Sequence, residues 1–539
     1  MPASSRFRAG VLMVLAAIAL TPPGTVALAA ASDTVPATGE PATVAADLLP
    51  TAQINGVVWS QVAVGNTVYA TGDFTKARPA GSPAGQNEVT RTRLLAYDLR
   101  TGELTGFAHS LNGRGRIAVA SPDGSRIYVG GDFTSVDGAP RGHIAAFDTS
   151  SGALVPGFAP TLNSGVRALA VSASTVYAGG TFTVAGSAPR TRLAAFTTAG
   201  ALTGWAPSAD AVVSAMTLTP DRSKVVVGGS FAKLGSAAYY GLGALDAVTG
   251  VGVRWASQSS TFPIRDYGTN AGITSLSADA TSIYLTGFNY GAKARPGGFE
   301  GRAAISPLDG ALRWANDCHG DSYSAIPLGA VLYSVGHPHD CQPAGYFPQT
   351  TTPQRALAET LTATHRNGPA TLDYTSHQGE PASDQLVWYP TLTAGTYTGQ
   401  GQAAWSVTGN ASYVSLGGEF TAVNGVRQQG LARFAVRALA PNRTGPDAFT
   451  GFAPTVSGTT VAFTGTADRD NAVLTYTVYR DGGAGVVWTG AARGTFWARP
   501  LVRFTDAGIA SGSTHTYRVV ATDPFGNSVA SPTVRSVVR

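Results

Sequence analysis

Charge is scarce in this 539-residue chain: Asp, Glu, Lys and Arg together make up 13% of it. That balance excludes an architecture of long exposed helices, which are rich in Glu, Lys and Arg, and no amphipathic helical pattern stands out after the first thirty residues. The formal net charge of +5 is spread without a Lys/Arg run, which argues against a nucleic-acid partner. Beyond the N-terminal thirty residues there is no apolar run long enough to cross a bilayer. Only two cysteines are present. Two thiols are too few for a structural zinc site and suit one intrachain disulfide, Cys318 to Cys341, in an oxidising compartment.

Glycine, by contrast, is abundant, with 66 residues, and it is not scattered. Tyr128-Val-Gly-Gly-Asp-Phe-Thr134 has close copies beginning at Tyr69, Tyr177, Val226 and Ser415, with more worn ones at Tyr284 and Tyr333. Seven copies recur about every 50 residues with insertions, a period expected of propellers or solenoids. Each unit reads as four short strands. In the cleanest one these are Val166–Val171, Thr175–Gly179, Arg192–Phe196 and Ala201–Trp205. The first two are apolar on both faces, as in a sheet sandwiched between neighbours.

Between the third and fourth strands recurs an Asp-x-x-x-Gly turn: Asp98 to Gly102, Asp148 to Gly152 and Asp246 to Gly250. Asp opens such a turn by accepting backbone amides and Gly closes it at positive φ. These carboxylates are therefore expected to be structural. So are Asp73, Asp132 and Glu419 after the Gly pairs, since Thr181 and Ser230 replace them in sister repeats. The seventh unit lacks a fourth strand, while Leu49-Pro-Thr-Ala-Gln-Ile-Asn55-Gly56 resembles the missing piece. The N-terminal segment is thus expected to complete the last blade and to leave no open edge in the ring.

The expected organisation is all-β: a signal peptide over 1–31, a disordered leader over 32–44, a seven-bladed β-propeller over 45–441, and a β-sandwich over 445–539. Arg6 and Arg8, the apolar run Val11–Leu20 and the small residues through Ala31 carry the export reading. Thr459–Phe463, Leu474–Tyr479, Leu501–Phe504, Thr514–Ala521 and Thr533–Val537 carry the sandwich, which resembles a fibronectin type III module.

Functional residues are expected where the repeats break their own rule. Asp317-Cys318-His319-Gly-Asp321-Ser-Tyr323 and His337-Pro-His339-Asp340-Cys341 gather both cysteines, three histidines and three aspartates. A disulfide would bring these segments together. His319, His337, His339 and Asp340 form a candidate metal set, since His-x-His with carboxylates suits a transition ion; the competing reading is a stapled loop with structural histidines. Asp321 and Asp340 are the candidate catalytic pair. The following insertion contributes Trp388, Tyr397, Gln400 and Trp405, which with His319, Asp321, His337 and His339 make a candidate ligand surface. Aromatic faces stack on sugar rings while amides meet hydroxyls.

Together, the Gly-Gly-Asp-Phe-Thr repeats, the Asp-Cys-His-Gly-Asp and His-x-His-Asp-Cys pair, Gln402-Ala-Ala-Trp405 and Gln429–Phe434 resemble secreted actinobacterial propellers of the delta-60 repeat type, over roughly residues 45 to 441. The resemblance implies export and a propeller, and carries no catalytic residues. The expectation is a secreted, monomeric, non-catalytic protein without a cofactor, binding an extracellular glycan or a cell-surface protein, with the sandwich as spacer. The alternative is a polysaccharide hydrolase or lyase acting at the Cys/His/Asp cluster.

Overall fold

The computed structural model describes residues 39–290, 297–370 and 374–539. The expected signal peptide lies outside them. Among the described residues the chain is all-β, with one 3₁₀ turn at Ala256–Gln258. No helix among them is long and apolar enough to cross a membrane.

Seven antiparallel sheets follow one another. Their opening strands are Val57–Val64, Gly115–Ala120, Val166–Val171, Val213–Leu218, Ala271–Ala278, Ser322–Leu328 and Ala404–Gly409. Each pairs with a second strand carrying the repeated Tyr/Val-x-Gly-Gly motif or its variant. Successive opening strands lie against one another, and Ala404–Gly409 lies against Val57–Val64. Burial on both faces explains the near-continuous apolar sequence of the second strands: Ile127, Tyr128 and Val129 are fully buried, as are Val225, Val226 and Val227.

The Gly pair is a packing requirement. A Cβ on Gly131 would lie 2.2 Å from the Arg114 carbonyl oxygen of its own sheet, and one on Gly130 would lie 2.5 Å from Val166 of the next. Where Thr71 replaces the first Gly, the opposing residue is Gly115, so the small residue has changed sides.

Sheets five and six have four strands. In the first four, the outer strand is reduced to single bridges, Tyr97–Leu104, Phe147–Leu154, Phe196–Leu202 and Leu245–Gly252. The expected strand Ala201–Trp205 is thus shorter than its sequence suggested. Thr203 still bonds Ala195 through its amide and hydroxyl, but Trp205 turns inward onto Tyr177, 5.2 Å between ring centroids. The third strand there starts at Leu193, one residue late, because Arg192 adopts a φ of 67°. In the seventh sheet the outer position is taken by the N-terminal segment, with Leu49 bridging Arg433.

The expected turns are present. Asp148 Oδ1 accepts the Ser150 and Ser151 amides, and Gly152 has a φ of 72°. A second recurrence lies in the links between sheets. Asn55, Asn112, Asn163 and Asp210 each accept two consecutive amides of the hairpin after the Gly-Gly strand, fastening link to hairpin.

Two expectations need correction. The leader over 32–44 is not free along its described part: Val44 is buried, its amide bonds the Tyr333 hydroxyl at 2.9 Å, and Glu40 pairs with Arg493 at 2.6 Å. Nor is the C-terminal unit a detached spacer. Its two sheets, Thr455–Ser457/Thr460–Thr464/Leu501–Thr505 and Val486–Arg493/Val473–Arg480/Thr514–Thr522 with Ser528–Ala530 and Val534–Val537, share one core around Phe463, Tyr476 and Val519. That unit packs Phe496 and Trp497 onto Tyr389 and Phe347, with centroids 5.1 to 6.0 Å apart. Asp470 caps the Ala46 amide and pairs with Arg437 at 3.3 Å. Burying these rings removes apolar area from water and favours a fixed attachment.

Candidate functional site

Cys318 and Cys341 are disulfide-bonded. Cys318 follows the last strand of sheet five and Cys341 follows the second strand of sheet six, so the bond fastens two neighbouring sheets at one end of the ring. Beside it, the fully buried Arg302 and Glu359 form an ion pair, and Arg302 Nη2 donates to Cys318 Sγ at 3.4 Å. A desolvated pair of this kind needs its partner, because one buried charge alone is costly.

The histidines have separate tasks. His319 is buried, with Nδ1 3.2 Å from Asp340 and Nε2 3.5 Å from Asp317, and its ring stacks on Tyr374 at 4.0 Å. Burial disfavours its charged form, but the two carboxylates outweigh burial and raise its pKa above the ordinary imidazole value. His337 Nδ1 lies 2.8 Å from the Tyr323 hydroxyl. Burial, reinforced by Arg355, pushes its pKa down to about 4, so the ring is neutral near pH 7. His339 Nδ1 lies 3.0 Å from Gln349, and its ring is 6.4 Å from that of His337. Among the described residues, no group of three or more His, Cys, Asp or Glu side chains is arranged to hold a metal ion.

Asp340 is 1% exposed and accepts the Gln342 amide as well as facing His319. Burial raises the Asp321 pKa to about 6, and raises Glu300, which accepts the Gly320 amide at 2.7 Å, to about 7. Phe299, Glu300, Asp317, His319 and Tyr374 line a crevice of about 10 Å³. That volume holds about one water and no sugar.

The neighbouring surface is more open, and a backbone irregularity builds it. Every opening strand carries a β-bulge near its start, and the residue skipped by the ladder is Trp59, Arg116, Arg167, Ser214, Thr274, Tyr323 or Trp405. A bulge leaves one residue unpaired and re-aims its side chain. All seven are half-buried, whereas residues beside them in the same strands are largely buried. Because successive opening strands lie against one another, and the last against the first, these seven side chains recur at one level and form a common wall.

Three of them form an aromatic run. Trp405 lies 4.2 Å from Tyr323 and 4.9 Å from Trp59, and Arg116 sits over the Trp59 ring at 5.1 Å. In three sheets the residue after the Gly-Gly position braces that sheet's bulge residue: Asp132 pairs with Arg116 at 3.0 Å, His337 bonds Tyr323, and Glu419 accepts from Trp405 Nε1 at 3.2 Å. Glu419 also holds the insertion by accepting from Thr398.

The nominated ligand residues therefore separate. Trp405 and His337 belong to this wall, together with Tyr323, which was not among those nominated. Tyr397 is half exposed and interacts electrostatically with Asp73 and Arg93 of sheet one and with Arg114 at the start of sheet two. Gln400 is exposed. Trp388 is a correction: it is fully buried between Tyr333 and Phe434, edge-on to both, and donates to the Ala45 carbonyl. It has no face for a ligand. Sequence reasoning missed Trp59, Arg116, Arg167 and Glu300. It also set aside Asp132 and Glu419 as structural, because their position varies between repeats. That variation was the available signal: an otherwise constant frame presents Asp, Thr, Ser, His or Glu at one place.

Residues 122–154, spanning the second and third strands of sheet two, match the pattern of a β-propeller domain of unknown function, DUF5122. No curated protein matches the chain. The similarity thus covers one repeat of an all-β chain, and it falls on the unit that contributes Asp132 to the wall.

Proposed function

We propose that this chain is a secreted, non-catalytic binding protein. In this reading the seven sheets are the blades of a β-propeller, the C-terminal unit is a fibronectin type III-like sandwich fixed to its side, and one mouth of the central channel receives an extracellular glycan. The observation that carries it is the run Trp59, Trp405 and Tyr323, held half-exposed by three bulges and braced from behind by Glu419 and His337. Planar apolar faces fixed in position stack on the C–H faces of sugar rings, while neighbouring amides and hydroxyls meet their hydroxyl groups. Fixing the rings beforehand lowers the entropic cost of binding.

A polysaccharide hydrolase or lyase is the second reading. One observation favours it: two half-buried carboxyl groups, Glu300 and Asp321, have pKa values raised to about 7 and about 6, the range of a general acid. Retention on immobilised polysaccharides, assayed alongside release of reducing ends and of unsaturated products, separates the two. Retention without release supports binding. Release that is abolished in Glu300→Gln or Asp321→Asn would replace it with catalysis.

A further inference from the structure

The wall beside the aromatic run is basic, and its charges are unevenly matched. Asp132 accepts two guanidiniums, Arg116 Nε at 3.0 Å from its own sheet and Arg167 Nη1 at 2.8 Å from the next. Asp73 accepts two more, Arg93 Nε at 3.0 Å and Arg114 Nε at 3.0 Å. Four guanidiniums thus share two carboxylates, a formal excess of two positive charges. Arg114, 56% exposed, and Arg116 and Arg167, each about a quarter exposed, keep part of their guanidinium surface in contact with solvent.

An arginine has five N–H donors in a fixed fork, so one shared carboxylate leaves most of the donors of each pair unused by that ion pair. Their placement matters more than their number. Arg116 stacks on Trp59, which touches Trp405, so the positive edge adjoins the aromatic faces directly. Tyr397, exposed on the same side, is within electrostatic range of Asp73, Arg93 and Arg114. The Trp59 indole N–H, shielded from solvent, has no acceptor among the described residues. Stacking faces next to guanidinium forks suit a ring that is apolar on its faces and carries a carboxylate on its rim.

We infer that the channel mouth selects acidic saccharides: the pyranose of a hexuronate stacks on the Trp59, Trp405 and Tyr323 faces while its carboxylate is received by Arg114, Arg116 and Arg167. This rests on the glycan reading above and adds the charge of the ligand to it. Charge-assisted, bidentate recognition of a carboxylate is what Arg provides and Lys does not. Such binding weakens as salt rises, because the sites are partly exposed.

Calorimetric titration of the full chain with trisaccharides of galacturonate, glucuronate and mannuronate, and with the same three after carboxyl reduction to the neutral sugar, tests this without altering the protein. The expected result is binding of at least one uronate, weakened at least tenfold by carboxyl reduction and severalfold by Arg114→Gln, whose exposed side chain can be changed without disturbing the core. Arg116→Gln combined with Asp132→Asn, which leaves no unpaired carboxylate, is expected to weaken uronate binding at least tenfold while preserving the fold by circular dichroism. Equal affinity for uronate and reduced sugar would overturn the acidic preference and leave the glycan reading standing. Binding of none of the six would overturn both. Inorganic sulfate competing as well as the uronate would reduce the site to an anion site and overturn the stacking half of the inference.

Discussion

The amide of Leu49 donates to the carbonyl of Arg433 at 3.1 Å. The Arg433 side chain, buried to 4% exposure, returns toward the same segment, donating to the carbonyl of Pro50 and to those of Leu99 and Arg100. One guanidinium therefore ties the N-terminal segment, the first sheet and the last sheet together. Removing it strands several buried carbonyls at once. Arg433→Ala is expected to lower stability by about 3 kcal/mol in urea unfolding, on the scale of losing charge-assisted hydrogen bonds, with Arg433→Lys falling between. An unchanged midpoint would mean that the two ends are not joined as described.

The disulfide makes a separate contribution. Replacing Cys318 and Cys341 with Ser opens a loop whose closure is worth about 3 kcal/mol in the chain-entropy picture. The double variant is expected to unfold at lower urea concentration by that amount, and the wild type to match it once reduced. If reduction leaves the wild type unaffected, the bond is not constraining the unfolded chain.

Acidity acts through Glu300. Its pKa of about 7, raised by burial from an ordinary 4.5, means that the fold prefers the neutral acid. The stability this gives is complete below about 4.5 and is lost as pH rises through about 7. Asp321 behaves in the same sense between 3.8 and about 6, and His337, lowered to about 4, in the opposite sense. The difference between wild type and Glu300→Gln isolates one group: relative to the variant, the wild type is expected to lose stability between pH 4.5 and 7. A pH-independent difference would contradict the burial of that carboxyl.

The attachment of the C-terminal unit is testable through Trp497. Its contacts with Phe347 and Tyr389 lie on the seam, and Trp497→Ala is expected to weaken docking by about 2 kcal/mol, less than for a fully buried ring. The readout is proteolysis: cleavage between 441 and 447 should be slow in the wild type and rapid in the variant. Rapid cleavage in both would restore the picture of a mobile spacer.

Much of this architecture was legible because repetition averages out local ambiguity. Gly130 and Gly131 recur since each has backbone or a neighbouring sheet within Cβ distance, and the Asp-x-x-x-Gly turns recur since each Asp bonds the amides that follow it. The wall of bulge residues was not legible. A bulge such as that at Arg116 adds no sequence signature of its own, and it re-aims the side chain it leaves unpaired. Trp388 and Trp405 illustrate the limit: both lie in the insertion region, yet one is sealed between Tyr333 and Phe434 and the other stands on the wall. Trp388 follows the strand Pro381–Leu386, whereas Trp405 is the bulge residue of the strand Ala404–Gly409. The Cys318–Cys341 disulfide explains why His319 lies beside Asp340, and both are buried.

The central claim is that the aromatic wall, rather than the histidine cluster behind it, meets the ligand. Affinity electrophoresis of wild type, Trp405→Ala and His339→Ala in gels containing the retained polysaccharide tests it most directly. The account predicts at least a tenfold loss for Trp405→Ala, about 1.4 kcal/mol, with His339→Ala close to wild type. Undiminished retardation of a folded Trp405→Ala protein, with retardation lost in His339→Ala, would contradict it.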